Sequence, residues 1–204
     1  MLQAVIDLSH FNTVNSFAAA RQDGIIGVIH KASQGTGYTD PTYAQRRPQA
    51  VAAGLLWGAY HFATGDDPIV QAQHFLAAAK PDDATLLALD VENNPGGTTM
   101  TPGGAKAFLA EIGQRTGRPC VLYCGDYLKQ QLAAAPDPTF AAYPLWYAAY
   151  TSAPQIPATW QSWTMWQYTD GVNGPPPHAV AGIVQCDRSA FNGDEAALRA
   201  FWPS

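Results

Sequence analysis

Four acidic side chains stand at the ends of short apolar segments, where a carboxylate is unexpected unless it does chemistry. Asp7 closes AVIDLS, Asp90 and Glu92 close TLLALDVE, and Asp187 follows GIVQC. If these carboxyls lie close together, their repulsion raises the pKa of at least one of them, leaving a proton near neutral pH. A protonated carboxyl beside an ionised one is the pair that glycoside hydrolysis requires, as acid for the leaving oxygen and as stabiliser of the oxocarbenium-like state.

Each acid also has an ordinary interpretation. A lone Asp-x-Glu at a strand end is more often structural than catalytic, and single Asp residues commonly form caps or turns. Asp187 could simply pair with the adjacent Arg188 at the surface. The hypothesis of one shared site therefore rests on the agreement of three separate segment ends.

The order of segments predicts how the acids would meet. Five apolar segments alternate with helix-like stretches up to about residue 135, and three more, at 144–150, 164–170 and 182–190, follow with proline-rich loops between them. Strands alternating with helices predict a parallel sheet, and eight strands close a small barrel. We predict a single α/β domain over residues 1–204: an irregular, TIM-like (β/α)-barrel of about five βα units followed by three strands lacking helices. A doubly wound open sheet is the alternative, although the first βα turn lacks a G-x-G-x-x-G phosphate loop.

Helix-capping signals mark two of the helices between these strands. Asp67 precedes Pro68, and Thr101 precedes Pro102, which is the pattern of an N-cap followed by proline at the first helical position. Gly117 is the expected end of the second of these helices.

In a parallel barrel the carboxyl ends of the strands share one face, which carries the active site. Side chains alternate along a strand, so Asp90 and Glu92 point the same way, into the barrel mouth. Leu87, Leu89 and Val91 then point to the other side and pack under the helices.

Aromatic and amide residues occupy the remaining strand ends and are candidates for substrate binding. Aromatic faces stack on sugar rings, and Tyr, Trp and Gln tips hydrogen-bond hydroxyl and acetamido groups. The same residues could instead fill the barrel core, and His61 could be a structural histidine. The candidates are Tyr60, His61, Tyr123, Trp146, Tyr150, Trp166 and Gln167.

Composition excludes several other classes of protein. The net charge is −5 and no Lys/Arg cluster is present, so we expect no nucleic-acid partner. No segment approaches the roughly 20 apolar residues of a membrane span. The three cysteines lack metal-ligand spacing and are expected to be buried thiols. The N-terminal MLQAVIDLSH predicts a first strand rather than a signal peptide, and we expect a monomer.

Six motifs in order resemble the glycoside hydrolase family 25 lysozymes, the Chalaropsis-type N-acetylmuramidases. The matching segments are VIDLSHFN, VIHKASQGTGYTDPTY with AAGLLWGAYHFA, LALDVE, PLWYAAY, MWQYTDG and QCDRSAFNG. This resemblance implies cleavage of the β-1,4 bond between N-acetylmuramic acid and N-acetylglucosamine in peptidoglycan, with net retention and without metal or cofactor. It also implies action on the wall outside the cytoplasmic membrane, by a phage endolysin, a secreted mature enzyme or a delivered effector.

The resemblance also implies roles for the residues at the matching positions. Glu92 would be the general acid and base, and Asp90 would orient the substrate's 2-acetamido group or attack directly. Asp7 and Asp187 would complete the acidic floor and hold the pKa of Glu92 up. Lys31, in the Lys-Ala-Ser-Gln-Gly loop, would contact substrate.

Three other functions fit parts of the same pattern. A metal-dependent hydrolase could use the four acids to ligate Mg²⁺ or Mn²⁺, although no histidine except His61 joins the set. A non-catalytic glycan-binding barrel would keep the aromatics but has no need of both Asp90 and Glu92. A purely structural barrel would leave the ordered aromatics unexplained.

Overall fold

Nine strands and six α-helices make up the computed structural model of the protein, which describes residues 1–203. The strands are β1 (Leu2–Leu8), β2 (Gly27–Gln34), β3 (Tyr38–Thr39), β4 (Leu56–Phe62), β5 (Leu86–Val91), β6 (Val121–Cys124), β7 (Leu145–Ala148), β8 (Met165–Thr169) and β9 (Asp187–Phe191). The helices are α1 (Phe17–Gln22), α2 (Tyr43–Ala52), α3 (Pro68–Ala79), α4 (Pro102–Thr116), α5 (Asp126–Ala134) and α6 (Glu195–Phe201), and a 3₁₀ helix spans Pro138–Ala142.

Eight of the strands close into a barrel. Their order is β1-β9-β8-β7-β6-β5-β4-β2, and β1 pairs in turn with β2, which completes the ring. The short β3 forms a hairpin on β2 and takes no part in the closure. The predicted α/β barrel is therefore confirmed, and the open-sheet alternative is wrong.

The last strand departs from the prediction of parallel pairing. Strand β9 runs antiparallel to both of its neighbours, β1 and β8. No helix lies between β8 and β9 in the described chain, but none lies between β7 and β8 either, and those two strands are parallel, so a missing crossover helix does not by itself set the direction of β9. Helix α6 then follows β9, so the prediction that the last three strands lack helices is wrong for the third of them.

Alternation along each strand separates two apolar layers. Outward-facing Leu87, Leu89 and Val91 pack with helix residues such as Phe75 and Phe108, as predicted. The inward-facing positions form a second cluster that fills the lumen, and its members include Val5, Ile29, Ala88, Val121, Trp146, Met165 and Phe191. This inner cluster ends where the carboxyl ends of the parallel strands begin.

The predicted helix caps are confirmed. The Asp67 carboxylate accepts from the backbone N–H groups of Ile69 and Val70 at 2.9 and 3.0 Å, ahead of Pro68 at the start of α3. The Thr101 hydroxyl accepts from Gly104 N–H at 3.1 Å. Gly117 ends α4 with φ of 68°, a left-handed conformation that glycine adopts without steric cost.

A tryptophan from the chain's last turn closes the bottom of the barrel. Trp202 follows α6, is buried, and donates its indole N–H to the carbonyl of Trp57 at 2.9 Å. Its ring lies so close to β2 that a Cβ placed on Gly27 would sit 2.8 Å from it. Glycine at position 27 is therefore what allows the indole to approach the strands.

We expect Trp202→Ala to lower the free energy of unfolding by about 3–5 kcal/mol, because the substitution leaves a cavity between α6 and the barrel floor. Urea denaturation at neutral pH measures the change. Val184→Ala, at a side chain that is 71% exposed, is the control and should change stability by no more than about 0.5 kcal/mol. A loss below about 1 kcal/mol for Trp202→Ala would show that the indole does not seal the core.

Candidate active site

A cleft of about 80 Å³ opens at the carboxyl ends of the parallel strands. All four of the acids predicted from the sequence meet there, each on a different side or level of the barrel mouth. The lining residues are Asp7, Tyr60, Asp90, Glu92, Tyr123, Trp146, Gln167 and Asp187. Their convergence follows from the barrel, because each side chain faces the lumen at the end of the barrel where the parallel strands finish.

Asp187 reaches this cleft by a route that differs from the predicted one. Because β9 is antiparallel, Asp187 stands at its first residue rather than at its carboxyl end. The start of an antiparallel strand lies at the same rim as the ends of its parallel neighbours. Asp187 consequently lies directly opposite Asp7 in the register of β1 and β9.

The four acids differ in their access from solvent. Asp7 and Asp90 are 8% and 7% exposed, and form the floor. Glu92 directly follows β5 and is half-buried, as is Asp187. A substrate entering from the mouth would therefore meet Glu92 and Asp187 before the two floor acids.

Burial is the first cause of a raised pKa at every one of these carboxyls. The pKa of Asp7 is raised well above its usual value by burial and by the charge of Asp187. Burial and the charge of Glu92 do the same to the pKa of Asp90, and burial raises the pKa of Asp187 to about 6. The pKa of Glu92 is raised by burial and by the charge of Asp187. The cluster thus holds protons near neutral pH.

Lys31 supplies positive charge to this acidic mouth. Its ammonium donates to Gln34 Oε1 at 2.6 Å and lies 4.8 Å from the centroid of the Phe62 ring. Its charge works against burial at Asp90 and Glu92, because it favours the ionised form of both. Burial in turn lowers the pKa of Lys31 itself.

Trp146 and Gln167 line the cleft, but their polar groups are engaged within the protein. The Trp146 indole N–H donates to the Ser189 hydroxyl at 2.9 Å, and its ring meets Tyr123 edge-on with centroids 4.7 Å apart. Gln167 is buried, and its carboxamide bonds both to tyrosine hydroxyls and to the acids. The Gln167 amide is thus placed at the cleft as predicted, but its hydrogen bonds are made to protein groups, and a contact with substrate stays a prediction.

His61 lies outside the cleft, contrary to its prediction as a substrate contact. The neutral ring donates from Nε2 to Gln71 Oε1 at 3.1 Å, so its Nδ1 accepts from the Ser33 hydroxyl at 2.8 Å. It stacks on Phe108 under the helices, and burial lowers its pKa to about 3. Because its neighbour Tyr60 points into the lumen, alternation places His61 on the outer face.

Trp166 is displaced from the cleft for the same reason. Its neighbour Gln167 faces the lumen, so Trp166 faces outward, where it packs near Trp163 and Tyr168. Its indole N–H donates to the carbonyl of Ala149 at 2.8 Å. Strict use of strand alternation on the sequence would have separated Trp166 from Gln167 and His61 from Tyr60.

Sequence reasoning missed an aromatic rim beside the cleft. Phe11 is 83% exposed and stacks on His10 with centroids 3.9 Å apart, and Tyr38 lies 5.9 Å from the same imidazole. Buried Asp40 fixes this rim by accepting from the His10 backbone N–H at 2.9 Å, and Lys31 Nζ lies 5.6 Å from the Tyr38 ring. The sequence did contain a signal for this rim, because His10 and Phe11 closely follow the end of the first strand, where residues reach the barrel mouth.

Residues 1–203 lack two features that mark other protein classes. No group of three or more His, Cys, Asp or Glu side chains there is arranged to hold a metal ion. No helix in the same range is both long enough and apolar enough to cross a membrane.

A closed barrel whose mouth combines proton-holding carboxyls with aromatic rings is the arrangement of a glycoside hydrolase. The sequence profile of "Glycosyl hydrolases family 25" matches residues 6–175, and the chain belongs to this family. The resemblance noted from the motifs is thereby confirmed.

Named relatives agree with this membership. Lysozyme M1 of Streptomyces globisporus is 32% identical over 211 residues, covering 96% of this chain and 69% of the relative. The N,O-diacetylmuramidase of Chalaropsis sp is 30% identical over 182 residues, covering 80% of this chain and 86% of the relative. The crystal structure of the bacterial lysozyme from Streptomyces coelicolor superposes with a TM-score of 0.86 at 29% identity, covering 98% of this chain and 96% of that one.

We expect Asp90→Asn to stabilise the protein more at pH 7.5 than at pH 4. The unfolded carboxyl releases its proton near pH 3.9, whereas the native one keeps it to higher pH. Wild-type stability therefore falls as pH rises between these two pKa values, and Asn removes that loss. The difference should amount to about 1.4 kcal/mol for each pH unit by which the native pKa is raised. Urea denaturation at both pH values measures it.

Asp82→Asn is the control of opposite sign. The hydrogen bond from Thr85 and the charge of Arg47 lower the pKa of Asp82, so its carboxylate stabilises the native state above the unfolded pKa. Its replacement should be more destabilising at pH 7.5 than at pH 4. An Asp90→Asn effect that is the same at both pH values would mean that Asp90 carries no proton in the native protein.

Proposed function

We propose that the protein is a lysozyme that hydrolyses the β-1,4 bond between N-acetylmuramic acid and N-acetylglucosamine in peptidoglycan, with net retention of configuration. The observation that carries this proposal is the meeting of four carboxyls of raised pKa in the mouth of a family 25 barrel. The names of the relatives, lysozyme and N,O-diacetylmuramidase, support the same substrate. The chain would act as one catalytic domain and as a monomer, on the wall outside the cytoplasmic membrane.

Glu92 is the proposed general acid and base. It is the acid that follows β5 at the rim, so a glycosidic oxygen can reach it without entering the floor. Burial and the charge of Asp187 raise its pKa, which favours the protonated form that a general acid needs. Lys31 works in the other direction and keeps the ionised form accessible for the second step.

Asp90 is the proposed orienting group for the substrate's 2-acetamido substituent. Its Oδ1 is buried and has no hydrogen-bond partner within residues 1–203, so it offers an acceptor for an incoming N–H. The raised pKa of Asp90 also disfavours the anion that direct attack on C1 requires. Both facts favour orientation of the acetamido group over direct attack by Asp90.

The proposed hydrolysis has two steps, formation of an oxazolinium and its opening by water. The Glu92 proton passes to the glycosidic oxygen as the bond from that oxygen to C1 breaks, and the acetamido carbonyl oxygen bonds to C1 from the opposite face. Asp90 holds the N–H of the resulting oxazolinium. Water then loses a proton to Glu92 and adds to C1 as the oxazolinium C–O bond breaks, so two inversions give net retention.

The remaining cleft residues would bind and place the glycan. Tyr60, Tyr123 and Trp146 line the cleft with their rings. Tyr150 is exposed and presents its ring beside the mouth, while its hydroxyl bonds to Gln167. Lys31 would contact oxygens of the sugar. Glycan units beyond the cleft would lie on the exposed rim of Phe11 and Tyr38.

We expect Glu92→Gln to reduce the release of muropeptides from purified peptidoglycan by about 10²-fold or more, because the general acid is lost. The wild type should release fragments whose new reducing ends are N-acetylmuramic acid, and EDTA should not change that rate. Glu195→Gln, an exposed residue of α6 paired with Arg199, is the matched control and should retain wild-type activity. New N-acetylglucosamine reducing ends would show that the enzyme cleaves the other β-1,4 bond of the glycan. Binding of the wild type to the wall without release of fragments would show that the protein is a binding module.

The role of Asp90 predicts selective binding of an oxazolinium mimic. We expect the thiazoline derived from N-acetylmuramic acid to inhibit the wild type and to bind at least about 10-fold more weakly to Asp90→Asn, since the carboxyl and the ring nitrogen share a proton. Competition assays measure both constants. A glycosyl adduct on Asp90, detected by mass spectrometry during turnover, would instead make Asp90 the nucleophile.

A further inference from the structure

Gln167 uses its whole carboxamide inside the catalytic cluster. Its Oε1 accepts from the hydroxyls of Tyr123 at 2.9 Å and Tyr150 at 3.0 Å. Its Nε2 donates to Asp7 Oδ1 and Oδ2 at 3.0 and 3.1 Å, and to Asp187 Oδ2 at 3.3 Å. With the side chain buried, no hydrogen-bonding capacity remains for a sugar.

The acids determine which way the amide faces, because an ionised carboxyl accepts hydrogen bonds and cannot donate them. The NH₂ group therefore turns toward Asp7 and Asp187, and the carbonyl oxygen accepts from the two tyrosine hydroxyls, which hold it in place. The reverse orientation would set the carbonyl oxygen against the Asp7 carboxyl. Tyr123 is buried, whereas Tyr150 is 39% exposed and links this network to the open mouth.

We propose that Gln167 is a positioning residue for the hydrolysis: held by Tyr123 and Tyr150, its amide fixes the Asp7–Asp187 pair and thereby the charge that the pair presents to Glu92. The inference rests on the proposed role of Glu92 as general acid. It differs from a substrate-binding role, because Gln167 acts only through the two carboxyls. It also assigns the Tyr123 and Tyr150 hydroxyls a function that their rings alone could not serve.

The sign of the effect follows from the hydrogen bonds. N–H donors favour the ionised form of a carboxyl, so Gln167 helps the pair to carry negative charge. The charge of Asp187 in turn favours the protonated form of Glu92. Without the amide the pair keeps its proton to higher pH, the field at Glu92 weakens, and Glu92 loses its proton at lower pH.

Other groups facing these acids are unchanged by a substitution at Gln167. Glu92 is also faced by Lys31, Asp90, Tyr60, Tyr123 and Tyr150. Asp170 and Cys186 face the Asp7–Asp187 pair. The pKa values of the three tyrosines and of Cys186 are raised, so these groups stay neutral over the working range.

The test is the pH profile of kcat/KM on peptidoglycan for the wild type, Gln167→Met and Tyr150→Phe. Met keeps the length and the unbranched shape of Gln but removes both amide functions. We expect the alkaline limb of the profile to move to lower pH by about 0.5 unit or more in Gln167→Met. Tyr150→Phe, which removes one of two hydroxyls holding the amide, should shift it the same way by less.

Gln71→Met is the matched control. Gln71 is also fully buried with its carboxamide saturated, accepting from His61 and donating to the carbonyls of Thr64 and Asp66, but it does not touch the acids. The Gln71→Met variant should lose stability as Gln167→Met does, whereas the alkaline limb of its kcat/KM profile should stay at the wild-type pH.

Three results would overturn the proposal or its premise, and they can be told apart. A lower rate in Gln167→Met with an unmoved limb means that Gln167 is merely structural. If that variant does not fold, an unmoved limb in Tyr150→Phe has the same meaning. An active Glu92→Gln removes the premise instead, because the limb would then belong to another acid.

Discussion

The repulsion among four carboxyls buried at one end of a small barrel is the constraint on which the rest of the site depends. Asp7 and Asp90 sit at the floor, where an ionised pair would be held in a poorly solvated space. The protein responds by keeping protons on the cluster, by placing Lys31 beside Asp90 and Glu92, and by directing the Gln167 amide at Asp7 and Asp187. Each response places a group that the proposed hydrolysis would use, so the strain and the proposed function have one origin.

The opposite end of the barrel carries the compensating stability. There the lumen is apolar, Trp202 closes it, and Gly27 leaves space for the indole. The separation is possible because a barrel strand crosses from one environment to the other within a few residues. In β5 the lumen-facing positions pass from buried Leu86 and Ala88 to Asp90, and the charge begins where the packed layers end. The loss of stability caused by the buried acids at the mouth can be tolerated because the apolar end of the lumen is closely packed.

Much of this could be predicted from local patterns, and the failures share a physical cause. Helix caps such as Asp67 and Thr101, and the acids at strand ends, depend on neighbours within a few residues, so the sequence displays them. The antiparallel course of β9 depends on which edge of the sheet is open after β8, which no local pattern records. The partners of Gln167 lie between 17 and 160 residues away, and its role could not be read from its own segment. His61 and Trp166 are different, because alternation alone was sufficient to place them outside.

The antiparallel last strand has a functional consequence that a fully parallel barrel would not provide. In a parallel β9 the residue at the rim would be the last of the strand, near Phe191, and Asp187 would lie at the floor end. Reversal brings Asp187 to the rim, opposite Asp7, while Phe191 joins the apolar cluster beside Trp202. One five-residue strand thus contributes an acid to the mouth and an aromatic ring to the apolar cluster at the opposite end of the barrel. Its direction couples closure of the barrel to assembly of the acid pair, because the register that pairs Asp7 with Asp187 also pairs Val5 of the apolar lumen with Ser189.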